Sequence, residues 1–590
     1  MLNARTFARN AASSLLAAVV MAASLIVIAA PADALTFTVT TSADTVSATD
    51  GVISLREAVT RANTFAGNHR IVLAAATTYQ LTRCGVGEED LNRSGDLDYR
   101  GNSTLTIAAK GSTIQQTCVD GGGTPDRGGI ETTNAAATLV ANDLTITGAG
   151  LSAITAAGNL ELDNATIYDN LGAFAGGAYV QGSATITDST FSGNEAVIAG
   201  GGLTADFATI TDSTFSGNTG GGYGGAMAVG ELTLTSSTID GNTARLLGSS
   251  SSGGGIYLGT GTITDTTLTG NTAEVSGGGI HAADEITISG STIDTNSSDD
   301  DGAGLYAETD ATVADSTLSN NVATDIGGGA YVLGTLDVDS TVVTGNTASA
   351  GGGLAAEGTL AVDSSTVNDN TASFIAAALA SGSSDVVTLS STISGNATAG
   401  IGPSVVAFNS LQLYSSTVSD NTGGAIAYVS AQAVNSTVSG NTNLGLAGPS
   451  IVTAFSTVTG NDVGVWQTDP SGTFLSLPSV MADNGADCLV SGIGFSSGYN
   501  YDTDASCGFT DSADTSGGSS PLLGTLADNG GGTETHLPDP SSPLVDAVPA
   551  TFEFLGIPLC PGTVSTLATD QRGITRPQGS GCDIGAVELE

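Results

Sequence analysis

The string TITDSTFSGN stands at 185–194 and again at 209–218, so the chain repeats itself at a fixed interval. Aligned on its last residue, the motif gives thirteen copies, ending at Asn170, Asn194, Asn218, Asn242, Asn271, Asn296, Asn321, Asn346, Asn370, Asn396, Asn421, Asn441 and Asn461. Successive copies lie 20 to 29 residues apart. Self-similarity at such a period is the mark of a solenoid or array, in which each repeat buries its apolar face only against its neighbours.

The columns of the repeat say what kind of unit it is. Three residues before each Asn stands a large apolar residue, from Ile167, Phe191 and Phe215 to Val438 and Val458. The residue before that is Thr in twelve copies and Val342 in the other, which gives the out–in alternation of a strand. The position just before the Asn is Gly, Asp or Asn in all copies but Thr295, residue types that tolerate left-handed backbone and so form a turn. Six before the Asn stand Asn164, Asp188, Asp212, Ser236, Asp265 and Gly290, which mark a second corner. After the Asn, glycines lead into short apolar strands such as GGGLTA (200–205), GGAMAV (224–229) and GGGIYL (253–258).

Each period therefore holds three short strands with corners between them, and none shows a helical period. One strand-only coil per period gives an all-β fold, a parallel β-helix. A propeller blade needs longer strands and some forty residues. The LxxLxL of a leucine-rich horseshoe and the tight hexapeptides of a left-handed β-helix are absent, which leaves the right-handed form. At ~4.8 Å per coil, thirteen coils span roughly 60 Å. The Asn column is expected to form a ladder from one coil to the next, a solvated turn Asn being the other reading.

Composition fits this unit. Aromatics are only 5% of 590 residues while Gly numbers 82, so the core must come from stacked small and β-branched residues. The formal charge of −45 disfavours nucleic acid, anionic membranes and polyanionic substrates not bridged by metal. The first residues run from a basic segment through an apolar stretch to Ala32-Asp33-Ala34, which reads as a secretory signal over 1–34; a single membrane anchor is the alternative. No later segment is apolar enough to span a bilayer, so an integral membrane protein is not expected. Six cysteines, Cys84, Cys118, Cys488, Cys507, Cys560 and Cys582, suit disulfides in an exported chain. Sequence alone leaves their pairing open; nearest-neighbour pairing would staple both ends.

GGAM at 224–227 with FSGN at 191–194 resembles the repeats of chlamydial polymorphic membrane proteins and related bacterial β-helix repeats. Those proteins end in an outer-membrane barrel, which 466–590, short and rich in Gly and Pro, is not expected to form. ISLREA (53–58) resembles the CSLREA motif of secreted bacterial repeat proteins, with Ile53 in place of the family's Cys, and GEEDLNRSGDLDY (87–99) resembles a segment downstream of it. PLLGTLADNGGGTETHLPDPSSPLVDA (521–547) and TDQRGITRPQGSGCDIGAVE (569–588) resemble the choice-of-anchor Q domain. These resemblances imply export and surface display and name no reaction.

The chain thus divides into a signal (1–34), an N-terminal cap with first coils (35–130), the β-helix repeats (131–465), irregular terminal coils (466–519) and a small C-terminal domain (520–590). Ser54 and Glu57 make a capping box, with Leu55, Ala58, Val59, Ala62 and Phe65 on one helical face. Such a helix would cover the open edge of the first coil, and the C-terminal segment would close the other end.

Candidate chemistry is sparse. Asp90, Asn92, Ser94, Asp96 and Asp98 alternate around Gly95, as oxygen ligands of a calcium loop do, though Gly101 stands where an EF-hand needs Glu; an acidic turn in water is the other reading. Asp299-Asp300-Asp301 reads as a solvated bulge between coils. Hydrolases need paired carboxylates ~5–9.5 Å apart, which stacked repeats supply by default. Lyases need a base near a cation, yet the only basic residue between 171 and 461 is Arg245 and the only histidine is His281. Arg572 and Arg576 are expected to pair with carboxylates. Tyr179, Tyr257, Tyr306 and Tyr331 share one strand column, which is either an outer face for ligand stacking or a packing stripe under loops. The reading is a non-enzymatic secreted or surface-displayed β-helix acting as adhesin, stalk or surface component, with glycans or a neighbouring cell surface as partner. A polysaccharide lyase or glycoside hydrolase on the same scaffold is the alternative.

Overall fold

The computed structural model describes residues 34–47, 49–84, 91–118, 127–245, 251–400, 402–560 and 567–590. The expected signal, except Ala34, and the candidate ligand Asp90 lie outside the described residues, as does 246–250 after Arg245.

Every repeat is one coil. Within the coil of Phe215, a strand over Leu203–Thr211 carries the first two expected strands and Thr214–Ser216 is the third. All three run parallel to their counterparts one period away. Thr190 pairs with Thr214, Phe191 with Phe215 and Ser192 with Ser216. The same register passes down the chain to Thr457 against Val480. The Phe191 and Phe215 rings are vertical neighbours, 4.6 Å apart and 5° from parallel, both fully buried.

The corners are made by left-handed residues, as the turn columns require. All thirteen residues just before the Asn have positive φ, Thr295 at 55° included, and so do all thirteen residues six before it. Gly and short polar side chains populate that region at least cost. Phe455 is the exception in kind, a bulky residue held at φ 45°. Glycine matters for a second reason at Gly202, where a Cβ would lie 3.0 Å from the Phe215 ring. The bare backbone lets the coil close over the ring.

The buried Asn column is a continuous ladder. Each amide nitrogen donates to the next coil's Asn Oδ1, from Asn170 to Asn194 at 2.9 Å through Asn441 to Asn461 at 2.9 Å. It also donates to a carbonyl of the preceding coil, as Asn218 does to Phe191 at 3.0 Å. Asn484 adds one further rung, accepting from Asn461 at 3.0 Å. A second ladder was not foreseen. The hydroxyl five before the Asn accepts the backbone N–H of its counterpart one coil back, as Ser213 does from Ser189 at 3.1 Å, while donating to the carbonyl two residues earlier. Both columns thus satisfy buried polar groups that would otherwise be costly.

Three strands per period were expected, and the structure adds a fourth file. Ten short strands, from Leu171–Gly172 to Ala397–Thr398, stack after the Asn into their own parallel sheet. Small residues such as Ala244 and Ala273 turn inward there. Most of these strands are two residues long, too short to show a period.

The single helix among the described residues, α1 (Leu55–Ala62), carries the expected capping box: Glu57 N–H donates to Ser54 Oγ at 3.1 Å and Ser54 N–H to Glu57 Oε2 at 3.0 Å. Leu55, Ala58, Val59 and Ala62 are buried against the first coils, but Phe65 lies beyond the helix end and is exposed. No helix among the described residues is long and apolar enough to cross a membrane. Disulfides join Cys84 to Cys118, Cys488 to Cys507 and Cys560 to Cys582.

The C-terminal segment does not sit over the open end as expected. It lies along the flank of the last coils, where Thr437 Oγ1 donates to Gln571 at 2.7 Å, Asn435 to the Thr569 carbonyl at 2.8 Å, and the Ala586 N–H to Thr457 at 3.1 Å. The end itself is covered by the stretch after Tyr501, whose Cys507 enters the interior core with Phe509 packed against it. A segment that must cover outward-facing Thr and Ser needs polar partners, and Gln571, Thr533 and the Glu534 carbonyl supply them.

Candidate functional site

The Tyr column lies on the outer side of the first strand of each coil. Parallel register puts Tyr257 beside His281, His281 beside Tyr306 and Tyr306 beside Tyr331. The rings form a file: Tyr223–Tyr257 at 4.8 Å, Tyr257–His281 at 5.0 Å, His281–Tyr306 at 4.8 Å and Tyr306–Tyr331 at 5.8 Å. The same column continues through Ala355, Ala380 and Val406 to Trp466, the one tryptophan of the chain. From Tyr179 to Trp466 it covers twelve coil steps, roughly 58 Å parallel to the helix axis at the strand spacing.

His281 was singled out only as the lone histidine of the repeats. It is 6% exposed, held between the two Tyr faces, with Nε2 3.3 Å from Glu308. Burial holds its pKa below the usual imidazole value, and Glu308 opposes that shift. Burial also pushes the Tyr331 phenol up, helped by Glu357, which accepts its hydrogen bond at 3.0 Å. The file is therefore uncharged in its rings and edged by carboxylates.

Asp299 and Asp300 are exposed, as a solvated bulge would have them, and Asp301 is half-buried. Asp300 and Asp301 meet Asp325 of the next coil with carboxylate oxygens within 4.8 Å of one another. Asp301 accepts the Ile326 N–H at 3.0 Å, and burial pushes its pKa up to about 6, with Asp300 and Asp325 adding to the effect. The sequence showed three consecutive acids but not the fourth, 24 residues on, that the coil brings beside them. Such a trio could hold a cation or share a proton.

Where rings give way to Ala355 and Ala380, the face sinks into a cleft of about 510 Å³. Tyr331 and Glu357 stand at one side, and Phe408 and Tyr428, stacked at 4.9 Å, at the other. Phe374 overhangs it, 73% exposed. A wider, more open hollow of about 750 Å³ between Leu522 and Ser541 has no aromatic ring in its lining.

The expected calcium loop is arranged differently from its spacing. Asn92 is turned to backbone, its Oδ1 accepting the Asp98 N–H and its Nδ2 donating to the Asp98 carbonyl, both at 2.8 Å. The carbonyls of Ser94, Gly95 and Asp96 all accept from the buried Arg56 guanidinium, which also pairs with Asp44 at 2.7 Å. That is the work of the arginine in ISLREA: it pins the acidic turn to α1. Asp96 and Asp98 do come together, with Glu131 as a third carboxylate that the sequence reading missed. A cation at this place would be held by those three rather than by Asn92.

Arg245 is exposed at the edge of the described residues, its N–H donating to the Gly220 carbonyl at 2.8 Å. Arg572 pairs with Asp570 at 2.9 Å and Arg576 with Glu588 at 2.9 Å, as expected of them. No curated protein and no solved structure matches the chain. Residues 279–443 match the family model described as right handed beta helix region, a span that holds the face from His281 to Tyr428. With the all-parallel coils, that match makes the fold the right-handed β-helix expected from the repeats.

Proposed function

We propose that this is an exported, non-enzymatic β-helix protein that binds linear glycans along its aromatic face, as an adhesin or cell-surface component. The observation that carries the reading is the file of rings from Tyr223 to Tyr331, in which Tyr223 is exposed and Tyr257 and Tyr306 are half-buried, with the Phe408–Tyr428 pair standing beyond the ringless steps at Ala355 and Ala380. Pyranose rings present apolar faces that stack on aromatic side chains, and a straight file suits a polymer better than a compact ligand. Three disulfides among the described residues suit an oxidising compartment.

A glycan array probed with calcium and with chelator tests this. At least one class of linear glycan is expected to bind, and Tyr306→Ala is expected to weaken it roughly tenfold, the effect of removing one aromatic anchor. No binding to any glycan, or binding untouched by Tyr306→Ala, contradicts the reading. Loss in chelator alone would assign a role to calcium at one of the carboxylate trios.

A polysaccharide hydrolase on the same face is the second reading, favoured by one observation: Asp301, raised to about 6, beside two further carboxylates. A carboxyl raised by burial can serve as a general acid. Reducing-end release from a bound glycan that disappears in Asp301→Asn would move the assignment there. The lyase form of that reading predicts unsaturated-product absorbance instead.

A further inference from the structure

The cleft between Tyr331 and Tyr428 differs from the rest of the face in having walls, a floor and a fixed charge. Its floor is Ala355 and Ala380, and its walls are rings. Glu357 reaches into it with Oε1 held by the Tyr331 hydroxyl, and the other carboxylate oxygen lies against Gly382, where any Cβ would collide with it. Ile326, another lining residue, bonds to Asp301 of the acidic trio, so a second cluster of negative charge stands at the rim. No lysine or arginine occurs between Arg245 and Arg572, and Arg572 is paired with Asp570. The cleft is thus apolar and aromatic inside, negative at its edge, and without a cation of its own.

The geometry points to a cation-selective subsite: the cleft between Tyr331 and Tyr428 takes a protonated amino sugar, its ring against the aromatic walls and its ammonium at Glu357. The inference rests on the glycan reading above and names the class of glycan. Aromatic faces attract a cation through their quadrupole, and the attraction grows when water is displaced. A neutral sugar would leave Glu357 without a partner beyond Tyr331, and an anionic one would meet the Glu357 carboxylate, with Asp301 one hydrogen bond away from the lining residue Ile326. The volume, about 510 Å³, is in the range of ordinary small-ligand pockets and admits one or two sugar rings rather than a peptide domain.

The test is calorimetric titration of the full chain, at moderate salt, with a glucosamine hexamer, its N-acetylated counterpart, a neutral glucose hexamer and tetramethylammonium. The glucosamine hexamer is expected to bind roughly tenfold more tightly than the acetylated one. Glu357→Gln is expected to remove that difference, and Phe374→Ala with Phe408→Ala to remove binding altogether. Asp212→Asn, an exposed corner position distant in sequence from the cleft and tolerant of Asn, serves as control. If it weakens binding as much as Glu357→Gln, the attraction is that of an acidic chain for any polycation, and the inference fails. Equal binding of amino and acetylated hexamers overturns the inference while the glycan reading stands. Tetramethylammonium binding sensitive to Glu357→Gln, with no hexamer bound, overturns the inference, because the cleft then takes a small cation and no amino sugar. Silence from all four probes overturns the inference.

Discussion

Asn242→Ala is expected to destabilise the β-helix by about 3–5 kcal/mol, among the largest effects of any single substitution in the repeats. Asn242 is fully buried, and its amide works in both directions. Nδ2 donates to the Phe215 carbonyl at 3.0 Å and to Asn271 at 2.9 Å, while Oδ1 accepts the Asn218 backbone N–H at 2.9 Å and its amide at 3.0 Å. Alanine leaves the Asn218 N–H with no acceptor in a dry corner and takes one partner from the Phe215 carbonyl. Because each coil contacts only its neighbours, the damage should be local. Hydrogen exchange is the measurement: protection should fall in the coils of Asn218, Asn242 and Asn271 and persist around Asn421. Gly241→Ala, which alters only the left-handed corner beside it, should cost roughly 1 kcal/mol.

Arg576→Ala is the second large effect, about 3–5 kcal/mol, as for removing one partner of a buried ion pair. The guanidinium is 2% exposed, bonds to Glu588 at 2.9 Å and to the Gly585 carbonyl at 2.8 Å, and lies 4.6 Å over the Phe455 ring. Its loss leaves the buried Glu588 carboxylate with the Gln578 and Asp583 N–H groups but no cation, and removes the contact over Phe455 that ties the C-terminal segment to the coils. Limited proteolysis should then cleave within 520–590 at protease concentrations that leave the repeats whole. Unchanged resistance would mean that the threonine and glutamine contacts alone hold the flank. Phe455 explains itself here: its left-handed backbone is strained for a bulky residue, and the stacked arginine is what its ring serves.

Much of this architecture was legible because stacking repeats each structural demand thirteen times. A left-handed corner shows as a column of Gly, Asp, Asn and Ser, and an inward strand position as a column of Ile, Leu, Val and Phe. The Asn ladder was legible for the same reason. The Ser ladder, from Ser189 to Ser456, stood in an equally regular column, but Ser and Thr are also common as exposed turn residues, so the column did not announce burial. The fourth file, as at Thr243–Ala244, was hidden by its length.

The site was less legible, since it depends on neighbours from different coils. Tyr257, His281 and Tyr306 could be aligned by eye, and the structure makes them contacts. The cleft could not be read, because Phe374, Phe408 and Tyr428 sit in irregular positions outside the shared column. Asp325 was missed beside Asp300 and Asp301, and Glu131 beside Asp96 and Asp98, for one reason. Each is distant along the chain and adjacent only through the coil. Of the calcium spacing at Asp90–Asp98, Asp96 and Asp98 do converge, with Glu131 beside them, while Asn92 is used by the backbone of the loop and Arg56 ties that loop to the cap.

Every functional statement depends on equivalent residues being separated by one strand spacing per repeat, and pulsed electron–electron distance measurement reads that directly. Spin labels at Ser192→Cys and Thr344→Cys, six registered steps apart in one half-buried column, should give roughly 29 Å. Labels at Ser192→Cys and Ser394→Cys, two steps further, should give roughly 38 Å. Distances that grow linearly with repeat number uphold the stack and with it the straight aromatic face. A second distance equal to or shorter than the first would contradict it.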